Sequence, residues 1–108
     1  MLLYTGVTFD VFCQLFKGIY SYEGMEKLFD FLTDKAIDNN TMVNVRFNRI
    51  SMRFIEYTNF NDFIADFDNL AIEDYDELKE RTNVIELNSG SFIVDVYPLT
   101  NLPYKYEF

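Results

Sequence analysis

Apolar and polar positions along this chain repeat at two different periods, and the change of period marks its elements. Between Thr8 and Lys17, Phe9, Phe12, Cys13 and Phe16 fall at the i, i+3, i+4, i+7 spacing of one helical face. Thr8 is a suitable N-cap and Gly18 a suitable C′ residue, so a helix is predicted over about 8–17. A second helix is predicted over about 21–38 from Ser21, with Met25, Leu28, Phe29, Leu32 and Ala36 in one stripe and Phe31 widening it. Glu23, Glu26, Lys27, Asp30, Asp34 and Lys35 lie on the wet side, and Asn39-Asn40 ends the pattern.

The stretch from Met42 to Tyr57 changes to period two. Val43, Val45 and Phe47 alternate with polar residues, and Ile50, Met52 and Phe54 do the same in the opposite parity. A long central strand over about 42–55 accounts for both halves if Asn48-Arg49 forms a β-bulge. The other solution, a hairpin turn at that step, is disfavoured because Arg49 suits positive φ poorly.

Helical spacing returns at Phe60, Phe63, Ile64 and Phe67, which predicts a helix over about 59–68 capped by Thr58 or Asn59. A more polar helix is expected over about 73–81, where an acidic start and Lys79 and Arg81 at the end match the helix dipole. Val84, Ile85 and Leu87, then Asn88-Ser89-Gly90-Ser91, then Phe92 to Val96, predict a β-hairpin over about 84–97 with Gly90 left-handed. Pro98 closes its second arm. Residues 99–108 form an aromatic tail, flexible or added as an edge strand through Tyr104, Tyr106 and Phe108. The expected architecture is an α+β two-layer domain: a three-stranded antiparallel sheet with the helices on one face.

At 108 residues the chain is read as one domain. Twelve Phe and eight Tyr provide an aromatic core, and a single Cys excludes an intramolecular disulfide and a Cys-based zinc site. Asp10 and Lys17 interrupt the apolar opening before it reaches membrane-spanning length, and there is no basic n-region. No membrane segment or signal peptide is expected, and the cysteine count favours a reducing, cytoplasmic setting. A net charge of −9 disfavours direct binding to nucleic acid or anionic lipid and favours a basic protein partner.

Without His, Ser-His and Cys-His nucleophile systems are excluded, and no Gly-rich phosphate loop or other cofactor motif is present. The expectation is a protein that is not an enzyme and needs no cofactor. Cys13, between Phe12 and Phe16, reads as a core residue. Asp66, Asp68 and Glu77 occupy positions one, three and twelve of a calcium loop. Leu70 and Ala71 fail positions five and six, so no metal site is assigned.

Charge distribution carries more content. Glu56, Asp62, Asp66, Asp68, Glu73, Asp74, Asp76, Glu77 and Glu80 are nine of the 18 acids, against one base, Lys79, in the same stretch. They are the candidate partner-binding residues, able to imitate nucleic-acid phosphates before a cationic groove. The plainer reading is that they keep an aromatic-rich domain soluble. Arg46, Arg49 and Arg53 form a second candidate patch, for carboxylate or phosphate, unless they pair with the protein's own acids.

Three segments, SYEGMEKLFDFL from Ser21, FIEYTNFNDFIADF from Phe54 and ELKERTNVIELNSGSFIVDVY from Glu77, resemble a family of small acidic proteins from bacteriophages and mobile elements of low-GC Gram-positive bacteria. The family's hairpin pattern falls on Thr82, Val84, Ile85, Leu87 and Gly90. The resemblance implies a phage accessory protein of the anti-CRISPR or anti-restriction type, an inhibitor acting in the host cytoplasm on a nucleic-acid-handling defence protein. It assigns no catalytic residue. The alternative expectation is an antitoxin-like or accessory interaction domain that binds its protein partner through the aromatic tail or a sheet edge.

Overall fold

A computed structural model describes residues 8–39 and 47–100 of the chain. The predicted residues 42–46, with Val43, Val45 and Arg46, and the tail 101–108, with Tyr104, Tyr106 and Phe108, lie outside the described residues. The chain divides at Met52/Arg53 into two compact units, each with its own internal packing.

In the first unit, helix α1 spans Phe9–Phe16, and the Thr8 hydroxyl accepts from the Val11 N–H at 3.3 Å. The chain then turns sharply: Ile19 N–H bonds to the Phe16 carbonyl at 2.9 Å, and Gly18 takes φ +86°. That is the third position of a type II turn, where a side chain would be strained. Helix α2, Tyr22–Asn39, starts on Ser21, whose hydroxyl accepts from Gly24 N–H at 3.0 Å. It buries Met25, Leu28, Phe29 and Leu32 of the predicted stripe, while the side chain of Ala36 lies outside what is described. Phe12 of α1 meets Phe29 edge-on at 5.3 Å, a geometry that aromatic rings prefer.

Residues Phe47–Arg53 form a helix, α3, which overturns the long bulged strand. The parity shift at Asn48-Arg49 is a helical signal: Phe47 and Ile50 are three apart, Ile50 is fully buried and Met52 is 55% exposed. A strand would have buried both Ile50 and Met52, whereas a helix turns them about 200° apart. Phe47 stacks on Phe16 at 5.3 Å, and the buried Tyr20 hydroxyl donates to the Ile50 carbonyl at 3.2 Å.

The second unit is an α+β arrangement around a three-stranded antiparallel sheet. Strand β1 is only Phe54–Tyr57, β2 is Val84–Glu86 and β3 is Phe92–Asp95, in the order β1-β3-β2. The central strand is therefore β3, and β1 lies at an edge, contrary to the expectation. The continuous apolar run Phe92-Ile93-Val94, buried on both faces, is what a middle strand requires. Register places Tyr57 opposite Phe92 and Ile55 opposite Val94. In the hairpin, Leu87 N–H bonds to the Ser91 carbonyl, and Gly90 has φ +95°, the left-handed residue of a three-residue loop.

Helices α4, Phe60–Asp66, and α5, Tyr75–Arg81, cover one sheet face; Phe63 and Leu78 join Tyr57, Phe92 and Val94 in a single apolar cluster. A 3₁₀ turn at Tyr97–Leu99 brings Leu99 into the same cluster.

Asp95, at the end of β3, is 1% exposed and holds Arg53 in a two-pronged ion pair, Nε to Oδ1 at 2.8 Å and Nη2 to Oδ2 at 2.9 Å. Arg53 is therefore not part of a free cationic patch, which bears out the self-pairing alternative for that residue. Its guanidinium also lies 5.3 Å from the Phe54 ring centre and 4.9 Å from that of Tyr97.

Phe63→Ala should lower the stability of the second unit by about 3–5 kcal/mol through lost burial and the cavity left behind. Removing one partner of the buried pair, by Arg53→Ala or Asp95→Ala, should cost a similar ~3–5 kcal/mol, and the double replacement Arg53→Met with Asp95→Leu clearly less than the two together. Urea unfolding monitored through amide protection in β3 measures all four variants.

Candidate functional site

The acidic stretch falls wholly within the second unit: Glu56 is on β1, and the other eight acids are on α4, α5 and the chain between them. Helix α4 starts on Asn59, whose side-chain oxygen accepts from Asp62 N–H at 2.9 Å. With Phe63 fully buried and Ile64 half-buried, α4 turns Asp62 and Asp66 outward, one helical turn apart and therefore about 5–6 Å between Cβ atoms. A short 3₁₀ turn, Asp68–Leu70, follows, and Ala71 adopts a left-handed conformation at φ 57°. For a non-glycine residue that conformation costs about 1 kcal/mol.

Helix α5 is capped by its own acids. Asp74 accepts from Glu77 N–H at 2.8 Å, and Glu77 reaches back to accept from Glu73 N–H at 2.8 Å, a variant of the capping box. Glu77 also pairs with Arg81 at 3.4 Å, one turn along. Leu78 anchors the buried side, while Asp76 and Glu80, four residues apart, face water.

Of the nine candidate residues, Asp62, Asp66, Asp68, Glu73, Asp74, Asp76 and Glu80 are exposed, and Glu56 and Glu77 are half-buried. The structure separates them by role. Asp66 accepts the Tyr57 hydroxyl at 2.9 Å, and Asp74 and Glu77 build the start of α5, so these three support the fold. Glu56 does not share their side: strand alternation turns it, with Phe54, to the sheet face opposite the one covered by α4 and α5. Asp62, Asp68, Glu73, Asp76 and Glu80 remain as outward acids whose carboxylates have no such duties among the described residues, Glu73 giving only its amide to Glu77.

No family model matches this chain, and no curated protein or solved structure is similar enough to count as a match.

Among the described residues no group of three or more acids and cysteines is placed to hold a metal ion, and no helix is long and apolar enough to cross a membrane. The calcium-loop positions do not converge, because Glu77 is turned back onto the amide of Glu73. Ala71 nonetheless takes the left-handed geometry that the motif reserves for glycine. Cys13 is half-buried rather than fully enclosed, and burial, followed by the charges of Asp10 and Glu26, raises its thiol pKa. A raised pKa opposes the thiolate that nucleophilic chemistry needs.

Two features escaped the sequence reading. One is a set of acids used internally by tyrosines: besides the Tyr57–Asp66 bond, Tyr75 donates to Glu86 at 2.9 Å. Burial first, then the bond to Asp66, holds the Tyr57 hydroxyl protonated well above the usual tyrosine range. Burial, the bond to Glu86 and the nearby charges push Tyr75 up to about 12. The other is an open groove of about 320 Å³ beside the hairpin turn, walled by Phe60, Tyr75 and Phe92 with Glu86 at its edge. Alternation in the strands signals which residues share a face, but the meeting of Phe60, Tyr75 and Glu86 depends on how α4 and α5 are set on the sheet.

The raised Tyr75 value carries a pH dependence with a definite sign. A folded pKa above the unfolded value of 10.0 means that the stabilisation is complete below pH 10 and is lost as pH rises toward about 12. The difference between wild type and Tyr75→Phe in phenolate absorbance should therefore develop near pH 12, and the stability advantage of wild type over Tyr75→Phe should shrink between pH 10 and 12.

Proposed function

We propose that this protein is a non-enzymatic accessory protein of phage or mobile-element type that inhibits a host nucleic-acid-handling defence protein. In this reading it presents the outward acids of its second unit to a basic channel. The observation that carries it is the exposure of seven acids between Asp62 and Glu80, on two helices and the turn joining them, where the sequence offers a single base, Lys79. Lys79 itself lies 3.5 Å from Glu86, outside that run, and Arg81 pairs with Glu77. The outward side therefore keeps an excess of negative charge that a cationic surface would neutralise.

The chemistry supports a nuclease or CRISPR effector as the class of target, since such proteins hold a polyanion in a groove lined by Lys and Arg. Carboxylates at one-turn intervals on two helices offer a rigid substitute for part of that polyanion. Because they are held by packed helices, little conformational entropy is lost on binding.

The structure dictates which acids to change. Reversal of Asp62, Asp68, Asp76 and Glu80 to Lys spares the caps and the tyrosine bonds. In affinity capture from a Gram-positive lysate, wild type should retain a basic nucleic-acid-binding protein and the reversed variant should lose it by at least about 100-fold. Retention should fall steeply as ionic strength rises from about 0.15 M to about 1 M, where the Debye length shrinks from about 8 Å to about 3 Å. Equal capture by both proteins, or binding indifferent to salt, would remove the phosphate-mimic reading.

A further inference from the structure

We propose that the groove bounded by Phe60, Tyr75, Phe92 and Glu86 receives an arginine side chain of the basic partner, so that one guanidinium held in the groove anchors what the outward acids attract. This rests on the partner being a basic protein, the reading given above.

The groove opens at one end of the sheet face that carries the core cluster. Glu86, Phe92 and Tyr57 lie in one row across the three strands, so the carboxylate and the Phe92 ring face the same side. Phe92 is buried and forms the floor, while Phe60 and Tyr75 are half-buried and form the walls. Tyr75 is tilted 57° to Phe92 with centroids 5.0 Å apart, and stands at 77° to Phe60 at 6.4 Å. Tyr75 packs in direct contact with both rings, and the groove presents the parts of Phe60, Tyr75 and Phe92 that these contacts leave uncovered, where a negative π face attracts a cation. The volume of about 320 Å³ lies at the small end of the roughly 300–1,000 Å³ typical of ligand sites, which suits one side chain rather than a nucleotide.

A cation of the chain itself, from a residue that does not line the groove, already meets two of these groups. Lys79 Nζ sits 5.1 Å from the Tyr75 ring centre and 3.5 Å from Glu86 Oε2. The Tyr75 hydroxyl donates to the same Oε2, so among the described residues both contacts of Glu86 fall on one oxygen. Oε1 is left as an acceptor, and on the 58% exposed Glu86 it is within reach of an incoming donor. Arginine fits better than lysine because its planar guanidinium both stacks on rings and offers several donors to a carboxylate. The excess of acid on α4 and α5 supplies the attraction that brings such a residue to this end of the unit.

The test is a titration of the full-length, ¹⁵N-labelled protein with N-acetyl-arginine methylamide, and in parallel with the lysine and the uncharged citrulline analogues. The expected result is saturable shifts at the amides of Gly90 and Ser91, which line the groove, at least fivefold weaker binding of the lysine probe, and no response to citrulline. Glu86→Gln, at an exposed position, should weaken arginine binding at least fivefold while leaving the spectrum that of a folded protein. Silent Gly90 and Ser91 amides, equal responses to arginine and citrulline, or a lysine probe that binds more tightly would each overturn the assignment. The two readings fail separately. The variant reversed at Asp62, Asp68, Asp76 and Glu80 keeps every groove residue, so it should still bind the arginine probe. A silent groove together with a partner lost on that reversal would sink the anchor alone.

Discussion

Asp95 is the residue on which the second unit closes. Its carboxylate receives Arg53 through two bonds and the Tyr97 amide through a third at 3.1 Å, while its own amide donates to Asn83 and its carbonyl accepts the Thr82 hydroxyl at 2.6 Å. A carboxylate 1% exposed is tolerable only when its lone pairs are answered, and here they are. The consequence is positional. Arg53, the last residue of α3, is tied to the end of β3, and its carbonyl accepts the Val96 amide at 2.8 Å, so β1 must begin at Phe54 and run antiparallel to β3 in one register. A slip by one residue would carry Tyr57 and Ile55 to the wrong face.

From that register the rest of the unit follows. Tyr57, Phe92 and Val94 present a continuous aromatic and branched surface, and α4 and α5 each contribute one wholly buried residue to it, Phe63 and Leu78. Helices of seven residues are too short to be stable alone, so their caps and this packing together keep them folded. Several acids are drawn into that task as caps and hydroxyl acceptors. A charge count over the stretch overstates the acid left outward beside α4 and α5: Asp66, Asp74 and Glu77 serve the fold, and Glu56 lies on the other side of the sheet.

The same packing creates the groove. Phe60 at the start of α4 and Tyr75 at the start of α5 wall a space beside the hairpin turn, which Gly90 and Ser91 also line. In the reading proposed above, attraction spread over exposed acids would speed encounter and be screened by salt, while one contact in the groove would slow release.

The sequence alone determined the local features. Thr8, Ser21, Asn59 and Asp74 stand at helix starts, the Phe9-Phe12-Phe16 and Phe60-Phe63-Phe67 spacings mark helices, and Gly90 marks the hairpin, because caps, turns and periodicity act over four or five residues. The α+β class and the antiparallel three-stranded sheet were legible for the same reason. What the neighbourhood of each residue could not decide was left to tertiary contacts. Phe47 to Phe54 fits two periods equally, and stacking on Phe16 and burial of Ile50 select the helix. The place of β3 in the middle, the pairing of Arg53 with a residue 42 positions away, and the meeting of Phe60, Tyr75 and Glu86 are long-range events. They depend on which surfaces bury one another, and no local pattern encodes that choice.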